Sequence, residues 1–195
     1  MVISAYVGFR MHLKPYFPTT ICLALVVLFP FIYPGCEVLG FSRLLGADLP
    51  EFHFPHQQWI YDILKTGRIP FWNPYLYGGG PEFGNPEMAP FYPPVILPLL
   101  LLGPIAMLQL KFVLHLALLG CGFFLFLRDL HFRRFWALLA AWTLMASGFP
   151  ITKIGLPNVG DSAAWFPLIL WLNQRFVRCA DLHRGLVYSG GGGIT

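Results

Sequence analysis

The stretch "LQLKFVLHLALLGCGFFLFL", residues 108–127, decides the fold class of this chain. A helix that crosses a bilayer needs about 20 consecutive, mostly apolar residues. This segment has that length, and its only basic side chains are Lys111 and His115, four positions apart. Ionisable groups inside such a helix usually face a bundle interior or a cavity, although a lysine near the helix end can also extend to the membrane surface. The segment therefore predicts a transmembrane helix with one polar face.

The composition of the whole chain agrees with this prediction. Of its 195 residues, 56% are hydrophobic and only 11% are charged, whereas soluble domains average roughly 25% charged residues. We therefore expect an all-α, polytopic membrane protein. The net charge of +4 does not indicate a nucleic-acid partner, because the cations form no long basic run with interleaved aromatic residues. The four cysteines lack the close pair spacing of a zinc site.

Three further apolar stretches are predicted as spans, one of which, residues 135–149, is somewhat short for a span. Together the four predicted spans cover residues 16–35, 108–127, 135–149 and 162–176. A shorter apolar run, 95–107, contains two prolines, so it is interpreted as a re-entrant or interfacial segment.

The distribution of charge orients the predicted spans, because cytoplasmic flanks are enriched in Lys and Arg. With the N-terminus inside, eight of the 13 cations lie on the cytoplasmic side: Arg10, Lys14, Arg128, Arg133, Arg134, Arg175, Arg178 and Arg184. Seven of the nine acids lie on the other side, and only Asp129 and Asp181 lie inside. Both termini are therefore predicted to be cytoplasmic, and a long loop, 36–107, is predicted to be extracytoplasmic.

The first span has an alternative interpretation as a signal peptide, since it follows basic residues. Its apolar core is longer than such peptides require. The sequence "YPGC" at residues 33–36 resembles a lipoprotein cleavage box only in part, because Tyr33 and Pro34 occupy positions where small or aliphatic residues are expected. An uncleaved anchor is the favoured interpretation.

The long loop has two parts. Apolar residues recur at helical spacing between Leu49 and Thr66, with Gln57 assigned to the polar face, which predicts one or two amphipathic helices lying along the membrane surface. Gly67 fits the position just after such a helix. A segment rich in Pro, Gly and aromatic residues follows, in which a glycine cluster around Gly79 predicts backbone with positive φ. In this segment Trp72 and Tyr75 are predicted to pack against the tops of the helices.

The sequence "ADLPEFHFPHQQWIYDILKTGRIPFWNPYLYGGGPEFGNPEMAPFYPP", residues 47–94, carries a resemblance. It is similar to the first extracytoplasmic loop of the YfhO-like bacterial membrane proteins, which are relatives of the GT-C glycosyltransferases. The matching features come in the same order: an Asp after the first helix, an aromatic-Pro pair, G-x-x-P-x-W-N-P, a glycine cluster and Y-P-P. In this chain they fall at Asp48, 54–55, 67–74, 78–80 and 92–94. The resemblance continues through "LHLALLGCGFFLFLRDLHFRRFWALLAAWTLMASGF" to "AAWFPLILW".

This resemblance implies a helix bundle of GT-C type in the bacterial cell membrane. It implies an enzyme that takes a sugar from a polyprenyl-phosphate carrier and transfers it to an acceptor of the cell envelope. In such enzymes an acid at the end of the first helix is the usual general base, a role that removes the acceptor's proton. By position that acid is Asp48, and Glu51 lies one helical turn further on.

The candidate substrate-binding residues extend along the loop and into the helices: His53, His56, Arg68, Trp72, Asn73, Tyr75, His115 and Asp161. Structural alternatives exist for several candidates. Asp48 with Glu51 matches a helix capping box, and Asp161 could cap the last span. His53 and His56 could share a divalent metal, but no metal site is assigned, because such histidines are more often interfacial side chains. The cofactor requirement is left open.

Other classes of function also fit parts of the pattern. One alternative is a non-catalytic membrane scaffold that keeps the GT-C helix arrangement. Another is half of a transporter, but its polar residues should lie near the bilayer midplane, whereas here they gather in an outer loop. GT-C proteins generally have eight or more transmembrane helices, so residues 1–195 are interpreted as a single N-terminal transmembrane region of a longer protein. A truncated, inactive fragment is part of the same alternative.

Overall fold

The fold is mostly helical. The computed structural model describes residues 18–33, 49–76, 78–153 and 156–190. The helices are α1 (Thr19–Ile32), a π-helical turn (Leu49–His53), α2 (Phe54–Lys65), α3 (Pro93–Leu102), α4 (Pro104–Asp129), α5 (Arg134–Met145), α6 (Gly148–Thr152) and α7 (Pro157–Gly190). Two short strands, β1 (Trp72–Asn73) and β2 (Gly80–Pro81), pair antiparallel, with Trp72 opposite Pro81 and Asn73 opposite Gly80.

Helix α4 is the centre of the packing, because it contacts α1, α3, α5 and α7, and its contact with α7 is the most extensive. Two glycines on α4 allow this close approach. A Cβ at Gly122 would lie 2.7 Å from the backbone nitrogen of Leu168 in α7, and one at Gly120 would collide with Met145 of α5 and Val26 of α1. Small residues at helix contacts let backbones approach closely, as is usual in membrane bundles.

Helices α4 and α5–α6 are long and apolar enough to cross a membrane. Helix α4 has 26 residues with a mean hydropathy of 2.1 in its most apolar window, and residues 134–152, which comprise α5, a two-residue break and α6, have 1.4 over 19 residues. These two helices match the predicted spans 108–127 and 135–149, with α4 longer at both ends and the second span broken after Met145. The predicted spans 16–35 and 162–176 fall on the 14-residue α1 and the 34-residue α7, and stay predictions as spans.

The predicted loop has an internal structure of its own. The π-helical turn, α2 and α3 pack around buried residues contributed by α2, α3, the preceding loop and the start of α4: Ile60, Met88, Val95, Leu99, Met107 and Leu108. The loop ends at Gly103, because Pro104 already begins α4. The apolar run 95–107 is therefore not one segment. It is divided between α3 and α4 by Gly103, whose φ is +84°.

Most predictions about the loop backbone are confirmed. Helical structure covers 49–65, Gly67 follows the helix with a φ of +74°, and Gly79 has a φ of +114°. Two predictions about side chains are wrong. Gln57 is buried rather than on the polar face, and its amide donates to the carbonyl of Met88 at 3.0 Å. Tyr75 is 84% exposed and Trp72 is 59% exposed, so neither packs against the helix tops.

Large apolar side chains cover much of the outer surface of the bundle. Exposed members include residues of α1, α3, α5 and α7: Leu28, Phe31, Ile32, Leu97, Leu101, Phe135, Trp136, Phe166, Ile169 and Phe176. Exposed apolar side chains in this number are typical of a surface that contacts a membrane or another protein.

Candidate functional site

The first polar cluster joins α4 to the beginning of α7. Lys111 Nζ lies 2.6 Å from Asp161 Oδ2, and His115 Nδ1 lies 3.5 Å from Asp161 Oδ1. Lys111 and His115 share one helix face because residues four apart stand above one another. Lys111 is 3% exposed and the Asp161 side chain 16%, so both charges are largely removed from water and compensate each other.

The hydrogen bonds of His115 define its tautomer. His115 Nδ1 lies 2.7 Å from the carbonyl oxygen of Lys111, and a carbonyl only accepts, so Nδ1 carries a hydrogen. Trp165 Nε1 donates to the hydroxyl of Tyr92 at 2.6 Å, and that hydroxyl lies 2.9 Å from His115 Nε2. In the neutral tautomer with its hydrogen on Nδ1, His115 accepts from the hydroxyl of Tyr92 at Nε2.

The surroundings of Tyr92 favour the protonated form of its phenol. Burial raises the pKa of Tyr92 above its ordinary value. The hydrogen bond from Trp165 lowers this pKa in part, and the negative charge of Asp161 raises it. The phenol therefore keeps its proton at neutral pH. The stability linked to this raised pKa is fully present below the ordinary pKa of tyrosine and is lost as the pH rises from there through the raised value.

An apolar cavity lies directly against this cluster, between α4, α6 and α7. Its polar lining consists of Lys111, His115, Lys153 and Asp161. Apolar residues from the π-helical turn and the helices complete the wall, among them Leu49, Leu108, Phe112, Leu119, Phe149 and Ala164. Two lysines face one carboxylate around this cavity, so its lining has an excess of positive charge.

The second polar cluster is buried in the loop. Glu82 is 0% exposed, and three side chains of the loop surround its carboxylate. His56 Nδ1 lies 3.3 Å from Oε1, Asn85 Nδ2 donates to Oε1 at 3.3 Å, and Asn73 Nδ2 donates to Oε2 at 3.4 Å. The cluster therefore fastens the β-hairpin to α2.

Hydrogen bonds within the loop occupy most polar atoms of the second cluster, while His56 Nε2 is buried without a hydrogen-bond partner among the described residues. The oxygens of both asparagines are already used, since Asn73 Oδ1 accepts from the backbone of Tyr75 and Asn85 Oδ1 from that of Glu87. Each of these oxygens therefore already holds a backbone amide in place. Across the described residues, no group of three or more His, Cys, Asp or Glu side chains is arranged to hold a metal ion. Within the described residues, the cluster supports a packing role.

The sequence-predicted site residues separate into three groups. His115 and Asp161 meet in the first cluster, and His56 and Asn73 meet in the second. The remaining described candidates are Glu51, His53, Arg68, Trp72 and Tyr75. Asp48 lies outside the described residues, but Leu49, the next residue, lines the cavity.

The third group is mostly at the surface, so the structure does not bring it to either cluster. Glu51 and Arg68 are exposed, and Arg68 Nε donates to Thr66 Oγ1 at 3.0 Å. Trp72 and Tyr75 are also exposed. His53 is buried, and its ring packs edge-on against Phe52.

Sequence reasoning missed the roles of Glu82, Tyr92, Lys153 and Trp165. The sequence did contain a signal for Glu82, because an acidic residue is unusual within a segment so rich in aromatic residues, Pro and Gly. Tyr92 and Trp165 had none, because they lie 73 positions apart and both match the aromatic belt of a membrane protein.

Comparison of the chain with protein-family models, with curated proteins and with solved structures gives no match. The resemblance to YfhO-like proteins therefore stays a prediction, and the functional argument depends on the geometry of the cavity.

Proposed function

We propose that this chain carries the carrier-lipid site of a multi-pass glycosyltransferase of the bacterial cytoplasmic membrane. The enzyme transfers a sugar from a polyprenyl phosphate to an acceptor of the cell envelope on the extracytoplasmic side. The single observation that carries this proposal is the apolar cavity that ends at Lys111, His115, Lys153 and Asp161.

Two sets of ion pairs support the proposed level of the cavity in the membrane. At one end of the α4–α7 contact, Lys111 pairs with Asp161. At the other end, Asp129 of α4 lies 3.7 Å from both Arg175 and Arg178 of α7. Asp129 comes 18 positions after Lys111 in α4, which is about 27 Å along a helix. Because the hydrocarbon core is about 30 Å thick, the two ends suit the two membrane surfaces.

The arginine-rich end is the cytoplasmic one under the rule that Lys and Arg accumulate inside. Arg128, Arg133 and Arg134 lie at the same end as the Asp129 pairs. The cavity and the loop cluster then lie at the outer surface. A lipid-borne sugar arrives from the bilayer, and a water-borne acceptor meets it at this level.

The cavity has a volume of only about 40 Å³, but its lining offers the two kinds of surface that a polyprenyl phosphate would contact at its mouth. Phe112, Leu119 and Phe149 offer apolar surface to a prenyl chain, because burial of apolar groups is favourable. Lys111 and Lys153 offer cations to the phosphate, and such fixed charges stabilise the negative charge that develops on a leaving group.

The proposed chemistry is a displacement at the anomeric carbon of the sugar. The acceptor oxygen forms the new glycosidic bond while the bond to the phosphate oxygen breaks, and polyprenyl phosphate leaves with the electron pair. Asp48 takes the proton of the acceptor hydroxyl. This assignment draws support from its neighbour Leu49, which lines the cavity. Asp161 is held by Lys111, so it positions Lys111 and His115.

The test is a transfer assay with the full chain in nanodiscs, supplied with glucosyl and mannosyl polyprenyl phosphates and a cell-envelope extract as acceptor. We expect release of polyprenyl phosphate that depends on the protein. Asp48→Asn should lower the rate by about 10²–10⁴, the usual effect of losing a general base, with the thermal stability retained.

Two results would contradict parts of this proposal. If Asp48→Asn keeps the wild-type rate, Asp48 is not the base. If the unaltered protein consumes neither donor, the alternative of a non-catalytic membrane scaffold replaces the enzyme. Gln58→Ala is a suitable control. The Gln58 amide donates to Asp62 Oδ1 at 3.0 Å on α2, and Gln58 does not line the cavity.

A further inference from the structure

A second depression lies on the other side of Asp161. This groove is open to solvent, has a volume of about 230 Å³, and runs between the segment before α3 and the first turns of α7. Its lining consists of Pro86, Glu87, Ala89, Tyr92, Asn158, Asp161, Ser162 and Trp165. Asp161 therefore forms part of the wall that separates the groove from the apolar cavity.

The charge of the groove is opposite to that of the cavity. No Lys or Arg lines it among the described residues, so an anionic phosphate has no cation to meet there. Asp161 is compensated by Lys111 at 2.6 Å, which leaves the exposed carboxylate of Glu87 as the one charge of the lining that has no ion pair in the described part of the chain.

The remaining lining offers hydrogen bonds and aromatic surface. Asn158 lines the groove and contributes an amide whose buried Oδ1 accepts no hydrogen bond from the described residues. Ser162 contributes an exposed hydroxyl that donates to the Asn158 carbonyl at 2.9 Å and still accepts. Trp165 adds partly exposed ring surface beside Tyr92.

We propose that the groove binds a neutral, hydroxyl-rich ligand of about the size of one sugar ring. The volume lies below the roughly 300 Å³ at which pockets for drug-sized ligands begin, so it suits one small ring or polyol. A carboxylate, an amide and a hydroxyl each accept or donate to ligand hydroxyls. Aromatic rings provide apolar surface for the C–H face of a sugar.

The position of the groove gives this ligand a role that rests on the proposed function: it is the acceptor. Tyr92 lines the groove, and its hydroxyl lies 2.9 Å from Nε2 of His115, which lines the cavity. Asp161 lines both, so the groove and the cavity meet at Tyr92, His115 and Asp161. A ring held against Trp165 and Glu87 therefore places a hydroxyl at the edge of the carrier-lipid cavity.

The test is saturation-transfer-difference NMR on the full chain in nanodiscs, with methyl β-glucoside, methyl β-N-acetylglucosaminide and tetramethylammonium as separate probes. At least one glycoside should receive saturation. Glu87→Ala should weaken that glycoside about tenfold, because a hydrogen bond to a charged group is lost. Asn158→Ala should weaken it as well, whereas Gln58→Ala should leave it unchanged.

Three outcomes would overturn the inference: no glycoside signal in the unaltered protein, a glycoside signal that survives both Glu87→Ala and Asn158→Ala, or binding of tetramethylammonium alone, which would indicate a cation site. Thermal unfolding of each variant shows that it is folded, so that a lost signal reports binding. The sugar-transfer assay fails or succeeds independently: transfer without glycoside binding overturns only the groove, and glycoside binding without transfer overturns only the proposed enzyme.

Discussion

Removing the positive charge of Lys111 should destabilise the bundle, because it leaves Asp161 without its partner in a largely buried position. Breaking a buried ion pair by removing one partner costs about 3–5 kcal/mol. The Asp161 side chain is 16% exposed and His115 Nδ1 lies 3.5 Å away, so the lower end applies. We therefore expect Lys111→Met to lower the free energy of unfolding by about 3 kcal/mol.

The assay is thermal unfolding in nanodiscs, followed by tryptophan fluorescence. For a chain of this length, 1 kcal/mol changes the Tm by about 2–4 °C, so Lys111→Met should lower it by about 6–12 °C. The double variant Lys111→Met with Asp161→Leu should recover most of this loss, since an apolar pair often replaces a buried ion pair without cost.

Lys65→Met is the matched control, because Lys65 is exposed and its Nζ lies 4.4 Å from the centre of the Tyr61 ring. Its loss should cost less than about 1 kcal/mol. The reasoning is refuted if Lys111→Met unfolds at the temperature of Lys65→Met, or if the double variant is less stable than Lys111→Met alone.

Three other predictions concern topology and the loop. In a chain whose native cysteines are replaced, a cysteine at Gly80 should react with an impermeant maleimide added to intact cells, and one at His131 should not; the reverse pattern would invert the proposed orientation. Gly79→Val should lower the Tm, because Gly79 has a φ of +114° and a Cβ there would lie 2.8 Å from Trp72 Nε1; an unchanged Tm would show that this backbone relaxes freely. Glu82→Ala should lower the free energy of unfolding by about 1–3 kcal/mol, because it leaves the buried side chains that bond Glu82 without their partner, and a loss under about 0.5 kcal/mol in urea unfolding would disprove its role in fastening the hairpin.

The helices could be predicted from the sequence because their signals are local. Apolar length predicts α4, and the spacing of Ile60 and its neighbours predicts α2. The ends of the helices were predicted less accurately, because a single residue can determine where a helix begins or ends. Gly103 adopts a positive φ and Pro104 occupies the first position of α4, so one apolar run became two helices.

The candidate site could be predicted only in part, because its contacts join distant parts of the chain. His115 and Asp161 were found because each is an unusual residue for a membrane helix or its flank. Their partners Tyr92 and Trp165 were not, since aromatic residues are ordinary at a membrane surface. The exposed positions of Trp72 and Tyr75 could not be foreseen either, because the turn of the hairpin decides which side chains face outward.

The claim that the α4–α7 cavity accepts a lipid phosphate is tested most directly by native mass spectrometry of the protein with farnesyl phosphate and with farnesol. The two probes share an apolar chain and differ in the phosphate. The account predicts that farnesyl phosphate binds at least about tenfold more tightly and that Lys153→Ala removes most of this preference, as expected for a lost hydrogen bond between charged groups, while Lys65→Ala keeps it. Equal binding of the two probes, or a preference that survives both Lys153→Ala and Lys111→Ala, would contradict the account.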